Sequence, residues 1–269
     1  MKKNNIFVLG GDVLVKDRRQ SIYDMIEQKG QMSLRELEAL FPAVSSMTIR
    51  RDLDFLETEN KIVKIKGGAK SISHLSRSIL QDVEGNYHQR EFLNPQAKRL
   101  IAQKAAPLAE AGRSIFIDAG STMMQLARLL RSGRYSVITN AVNVALELSQ
   151  NKSATVNLIG GELNRNNLCV SGAGALEHLR HINIDVAFMA ASGYTLEDGF
   201  TNGSFDEYEL KRFVIQKAKK TVILMDAAKL GKCMPYTFCR PEDADVLVMD
   251  QPPEADLLQK AKEAGMKII

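Results

Sequence analysis

The chain has 269 residues, of which 45% are hydrophobic and 25% charged, a composition that suits a soluble protein of one or two domains. No run reaches the roughly 18 apolar residues that a membrane span needs, so no membrane partner is expected. The formal charge of +4 is too small to mark a polycation, but it is unevenly spread: residues 1–73 hold 13 Lys and Arg against 10 Asp and Glu.

The first sixteen residues, MKKNNIFVLGGDVLVK, carry a short apolar stretch that Asp12 interrupts. No small-residue cleavage site follows, which predicts a short extension rather than a signal peptide. Cys169, Cys233 and Cys239 show neither zinc nor CxxC spacing, which fits reduced thiols in a cytoplasmic protein. No metal, no other cofactor and no catalytic residue is expected.

DRRQSIYDMIEQKG places Ile22, Met25 and Ile26 at helical spacing and stops at Gly30. In SLRELEALF, Ser33 and Glu36 form a capping-box pattern ahead of Leu34, Leu37 and Leu40. Pro42 breaks that helix. A third helix is predicted from Ser45 or Ser46, with Ile49, Leu53 and Leu56 forming its buried stripe. Arg51 projects almost opposite the stripe and Arg50 to its side, with Met47 and Thr48 near the start. Three short helices in this order make a helix-turn-helix, whose last helix presents its first residues to the major groove.

NKIVKIKGGAKSI follows, two apolar-rich runs flanking Gly67-Gly68, which predicts a hairpin with a two-residue turn. Lys61, Lys64, Lys66 and Lys70 lie along it with no acid among them, an array suited to phosphate contacts. The bland alternative is a solvated face in which Arg50 pairs with Asp54 at i+4. Helix order, capping box, paired arginines and basic hairpin in series favour double-stranded DNA. The candidate contacts are Ser45, Ser46, Met47, Thr48, Arg50, Arg51, Lys64 and Lys66.

With MTIRRDLDFLE and KGGA quoted, the chain resembles the DeoR family of bacterial transcriptional regulators, over about residues 17–250. Two departures stand out. The turn FPAVSS is one residue longer than the family's usual pattern, and KIKGGA lacks the histidine that usually precedes the glycines.

Residues 71–95 read as a connector with some helical character. Pro95 then opens a helix to Gly112, kinked or split at Pro107. From residue 113 the pattern alternates: SIFID, YSVIT, ATVNLIGG, DVAFMAAS, TVILMD, DVLVMD and MKII as strands, with helices such as TMMQLARLL, AVNVALELS and FDEYELKRFVIQKAKK between them. This predicts a mostly parallel, covered α/β sheet whose ligands bind beyond the carboxyl ends of its strands. The expected organisation is 17–72 winged helix-turn-helix, 73–95 linker and 96–269 effector-sensing α/β domain.

DAGST (118–122) is a strand end, a glycine turn and a helix start, where free N–H groups and the Ser121 and Thr122 hydroxyls suit a phosphate. Asp118 would repel a phosphate, so it bonds a hydroxyl or shapes the turn. TNA (139–141) and IGGEL (159–163) occupy equivalent strand ends, and Lys229 offers a cation. A Gly-Ser-Thr turn that only caps its helix is the common alternative. The resemblance implies more: a sensor domain similar in fold to ribose-5-phosphate isomerase and binding a phosphorylated sugar or related metabolite. It makes Gly120, Ser121 and Thr122 the phosphate loop, with Asp118, Asn140, Gly161 and Lys229 completing the pocket. Met123, Ala228 and Asn164 stand where the family usually has polar or basic side chains, which implies an unusual effector or a weaker phosphate site.

The rival reading is a sugar-phosphate isomerase with an appended DNA-binding domain. Enediol chemistry needs a tuned carboxylate at the strand end, where this chain has Ala190, Ala191, Ser192 and Gly193; Glu197, Asp198, Asp206 and Glu207 come later and read as surface or helix-start charges. The expected protein is therefore a regulator, most simply a repressor of a carbohydrate-utilisation operon. Because one winged helix reads few bases, a symmetric homo-oligomer, dimer or tetramer, is expected as well.

Overall fold

A computed structural model describes residues 11–59, 61–65, 67–71 and 87–269. The first ten residues of the expected extension, Lys66, and residues 72–86 of the expected connector lie outside them. The chain divides into two compact units, Met1–Asp82 and Val83–Ile269.

In the first unit, α1 (Gly11–Lys29) begins earlier than the sequence suggests, so Gly11–Lys16 is helix rather than loose extension. It ends at Gly30, whose φ of 84° only glycine adopts cheaply. β1 (Gln31–Ser33) leads into α2 (Leu34–Leu40), where the capping box forms as read: the Ser33 side chain accepts from Glu36 N–H and the Glu36 side chain accepts from Ser33 N–H. α3 (Ser46–Thr58) follows, and Ile49, Leu53 and Leu56 bury against Ile22, Ile26 and Leu37.

The wing is β2 (Ile62–Ile65) and β3 (Gly68–Ser71). Its register corrects the sequence reading. Gly68 pairs with Ile65 and is already a strand residue, so Gly67-Gly68 is not the turn pair. Gly68 also pairs with Ser33 of β1, a third strand the sequence did not announce. A Cβ on Gly68 would lie 2.2 Å from the Met32 carbonyl oxygen. That close approach, rather than a turn, requires glycine here.

The second unit is built on a seven-stranded sheet in the order β15-β14-β12-β9-β4-β5-β6, all neighbours parallel. Its strands are β4 (Ser114–Ile117), β5 (Ser136–Thr139), β6 (Thr155–Leu158), β9 (Ile184–Ala190), β12 (Ala218–Leu224), β14 (Val246–Val248) and β15 (Lys267–Ile268). Side chains alternate between faces, as strand geometry demands. Phe116, Ala187 and Ile223 face α8 (Ala173–Arg180), α9 (Phe205–Lys217) and α10 (Ala255–Ala264). Ile115, Ile117, Phe188 and Val222 face α5 (Pro95–Ala105), α6 (Ser121–Leu129) and α7 (Val142–Leu148). The helix expected to run to Gly112 is shorter: α5 ends at Ala105, and Pro107 lies in a short 3-10 turn, Ala106–Leu108. Helix α4 (Tyr87–Phe92) precedes α5.

Two additions escaped the sequence reading. One is a hairpin of β7 (Glu162–Asn164) and β8 (Cys169–Ser171); the other is a small antiparallel sheet of β10 (Gly193–Thr195), β11 (Gly199–Asn202) and β13 (Tyr236–Cys239). The fold is thus an N-terminal winged helix-turn-helix joined to a three-layer, mostly parallel α/β unit. From β4 the chain steps outward through β5 to β6, and from β9 through β12 to β14 in the other direction. The reversal between β4 and β9 is a topological switch point, where crevices form at strand ends.

Candidate DNA-reading face and effector site

The start of α3 is open. Ser46, Met47, Arg50 and Arg51 are exposed, and neither arginine has a hydrogen-bond or ion-pair partner among the described residues. Ser45 is the N-cap, its hydroxyl accepting from Thr48 N–H at 3.2 Å and lying 2.9 Å from the Thr48 hydroxyl. Those two hydroxyls therefore shape the helix start as well as facing outward. The Arg50–Asp54 pair does not form, because Asp54 pairs with Lys64 instead. That exposed pairing raises the Lys64 pKa, with the Asp54 hydrogen bond as the main cause. The wing lysines are thus not far from acid, since α3 supplies Asp54, and Glu57 accepts from Lys64 N–H.

Sequence reading missed Asp52. It is buried, accepting from Arg18 Nε at 2.6 Å and Arg19 Nε at 2.9 Å, while the Arg19 guanidinium stacks on Phe55. Two cations of the first unit thus fasten α1 to α3.

In the second unit the predicted effector residues gather in two groups along one edge of the sheet. The first group surrounds the end of β9. Asp118, just past β4, is buried, accepts from Ala190 N–H at 3.0 Å and forms an ion pair with Lys211 of α9. Lys211 also donates to the Ala190 carbonyl, and Lys229 to the Ala191 carbonyl. Gly120 has φ 138°, and a Cβ there would touch that of Ala190 at 3.4 Å. The second group surrounds β8. Asn140 accepts from Val170 N–H at 2.8 Å through its own carbonyl, and a Cβ on Gly161 would lie 2.5 Å from the Ser171 carbonyl. Thr139 bridges the strands, its hydroxyl donating to the Ile117 carbonyl.

Gly120 is the N-cap of α6, and no side chain caps that helix. The Ser121 and Thr122 hydroxyls, largely buried, have no hydrogen-bond partner among the described residues. The simple-cap alternative therefore does not describe this turn. Met123, in place of a third hydroxyl, is wholly buried in the core.

Three further ionisable groups were missed. Glu207, read as a surface or helix-start charge, is buried; Oε1 accepts from Asn167 Nδ2 at 2.6 Å and lies 3.5 Å from Cys169 Sγ. Burial, and secondarily the Glu207 charge, pushes the Cys169 thiol far up. Lys98 of α5 is buried, its ammonium bound to the carbonyls of Arg90 and Leu93. Burial, and then the neighbouring Lys229 charge, lowers its pKa to about 7. Asp226, two residues past β12, lies near Lys98, and its backbone carbonyl accepts from Lys229 N–H at 3.1 Å. The spacing of Glu207 and Lys211, one helical turn apart with Leu210 between them, was the available signal. By contrast, Glu197 is exposed, and Asp198 accepts from the Thr195 hydroxyl in the β10–β11 turn, so neither is a base at the strand end.

A winged helix with an open, basic recognition helix, in one chain with an α/β unit that carries an anion-suited turn, defines a DNA-binding regulator with a sensor. Residues 18–74 match the DeoR-like helix-turn-helix domain and residues 93–251 the DeoR C terminal sensor domain. The chain belongs to the DeoR family of transcriptional regulators. It is 31% identical to the HTH-type transcriptional regulator GolR of Listeria innocua serovar 6a, over 94% of this chain and 97% of that one. It is 29% identical to a putative aga operon transcriptional repressor of Escherichia coli O157:H7, over 94% and 93%. Among solved structures it is similar to ribose 5 phosphate isomerase A from Neisseria gonorrhoeae, 16% identical with a TM-score of 0.38, over 52% of this chain and 54% of that one. The chain is a regulator and not an enzyme.

Proposed function

We propose that this regulator is a repressor of a carbohydrate-utilisation operon that leaves its operator when a phosphorylated sugar binds the second unit. The observation that carries this is the start of α6. Two hydroxyls, Ser121 and Thr122, and the first N–H groups of a helix without a side-chain cap stand together, the hydroxyls without partners among the described residues. Such a turn suits a phosphate, which gains the hydroxyls, the N–H groups and the helix dipole at once. Lys229 adds a cation from the far side of the switch point, and Asp118, Asn140 and Gly161 line the rest. A relative agrees in kind: the glycerol-3-phosphate regulon repressor of Escherichia coli K12, 28% identical.

On the DNA side, Arg50 and Arg51 read bases, Ser45, Ser46, Met47 and Thr48 shape and flank that reading, and Lys64 and Lys66 hold phosphates. For Lys64 this means exchanging Asp54 for the backbone. The functional division is 17–72 for DNA, 73–95 as linker and 96–269 for the effector, in a cytoplasmic homo-oligomer. The test is a thermal-shift screen of sugar phosphates, since a ligand that binds only the folded chain raises its stability. At 100 times Kd the gain is about 2.7 kcal/mol. A chain stabilised by no phosphorylated compound would contradict the reading.

A further inference from the structure

A buried polar atom without a partner is uncommon in a folded chain and marks a place that water or a ligand completes. Four such atoms, on three residues, surround one short stretch, residues 166–170: Asn140 Oδ1, Asn143 Oδ1, Asn143 Nδ2 and Arg90 Nε. From one side, Val170 N–H donates to the Asn140 carbonyl at 2.8 Å, and Val142 N–H, at the start of α7, to the Leu168 carbonyl at 2.9 Å. From the other side, α4 is tied down by Tyr87 N–H to the Asn166 carbonyl at 2.6 Å and Arg90 Nη2 to Asn167 Oδ1 at 2.7 Å. Asn143 lies beside the Tyr87 phenol but makes no well-formed hydrogen bond to it. Asn140 is only 1% exposed, so bulk water does not serve its open acceptor.

The four atoms select a chemistry. Two are acceptors, on Asn140 and Asn143; two are donors, on Asn143 and Arg90. An anion would satisfy only the donors and an ammonium only the acceptors. A hydroxyl both donates and accepts, so neighbouring hydroxyls on a carbon chain satisfy both kinds. We propose that Asn140, Asn143 and Arg90 bind the hydroxyl-bearing part of the effector and set its specificity, opposite the end that takes the phosphate. This rests on the reading that the strand-end crevice accepts a phosphorylated sugar. It adds Asn143 and Arg90 to that site. A pocket built to hydrogen-bond hydroxyls discriminates strongly against compounds lacking them, because its buried groups are then left unpaired.

The test uses the full-length chain, Asn143→Leu, which keeps the volume and removes the amide, and Arg90→Lys, which keeps the charge and removes Nε. Each is titrated by thermal shift with inorganic phosphate, with sugar phosphates from trioses to heptoses, and with the free sugars and polyols. Sugar-phosphate Kd should rise about tenfold or more in both variants, while the response to inorganic phosphate changes much less. Unliganded Asn143→Leu should melt no lower than the parent, since an unpartnered amide has been removed. Should Asn143→Leu fail to fold, Arg90→Lys decides. Variants that bind sugar phosphates as the parent does overturn the assignment, as does a parent chain that responds to no hydroxylated compound. Unchanged ligand binding with a lower melting temperature means ordered water only, and overturns it too. If free polyols bind the parent and not the variants while inorganic phosphate never binds, this assignment stands and the phosphate reading falls.

Discussion

Arg51 and Asp52 are neighbours with opposite surroundings, and helix geometry decides which does what. Arg51 looks out from the open start of α3, while Asp52, about 100° round the helix, turns inward to Arg18 and Arg19. If Arg51 reads a base edge, Arg51→Ala costs roughly 1–3 kcal/mol at the operator and relaxes preference at one position. Binding assays on operator and random DNA check this; an equal loss on both refutes the role. Lys98 offers a second residue-scale test. Its folded pKa, lowered by burial to about 7 from 10.5, means the folded chain binds fewer protons than the unfolded chain between those values, so stability rises with pH there. The buried Cys169 and Cys239 thiols, raised above 9.0, act oppositely once pH approaches the unfolded thiol value. From pH 7 to about 8.5, where the lysine dominates, the melting temperature of the parent should rise more steeply than that of Lys98→Met. Parallel curves would contradict the assigned burial.

At the scale of elements, periodicity made most of the frame legible. Ile49, Leu53 and Leu56 announced the buried stripe of α3, Ser33 and Glu36 announced the start of α2, and the apolar strands announced the parallel sheet. The failures have physical causes. β1 is three residues long and takes its strand character from pairing with β3, which no local pattern carries. Two successive glycines satisfy a turn equally well in sequence, and only the Met32 carbonyl against Gly68 separates strand glycine from turn glycine. Gly68→Ala should therefore cost about 2 kcal/mol by forcing β1 off β3. Chemical denaturation checks it; a change within 0.5 kcal/mol, the ordinary surface range, would deny the close approach. Of the proposed effector site, the DAGST turn was readable because strand, glycine and helix start are consecutive. Glu207 and Lys211 were not, because their partners Asn167 and Asp118 are distant in sequence; the partners of Lys98 are near in sequence, but they are the Arg90 and Leu93 backbone carbonyls, which no residue pattern marks.

At the scale of the molecule, the proposed regulation requires a difference in effector affinity between the DNA-bound and free states, typically 5–150-fold in such couplings. The switch point suits that task, because Lys211 and Lys229 hold the consecutive carbonyls of Ala190, the last residue of β9, and Ala191 just past it, while Asp118 and the α6 turn approach from β4. A phosphate bound at α6 and drawn to Lys229 would join both halves of the sheet by a charge-assisted contact. The most direct measurement is operator affinity with and without a sugar phosphate that stabilises the parent chain, for the parent and for Lys229→Ala. The parent should lose operator affinity when the sugar phosphate is present, while Lys229→Ala, folded and binding the same operator, should stay bound at that concentration. Release of Lys229→Ala at the parent's effector concentration would place the controlling site elsewhere.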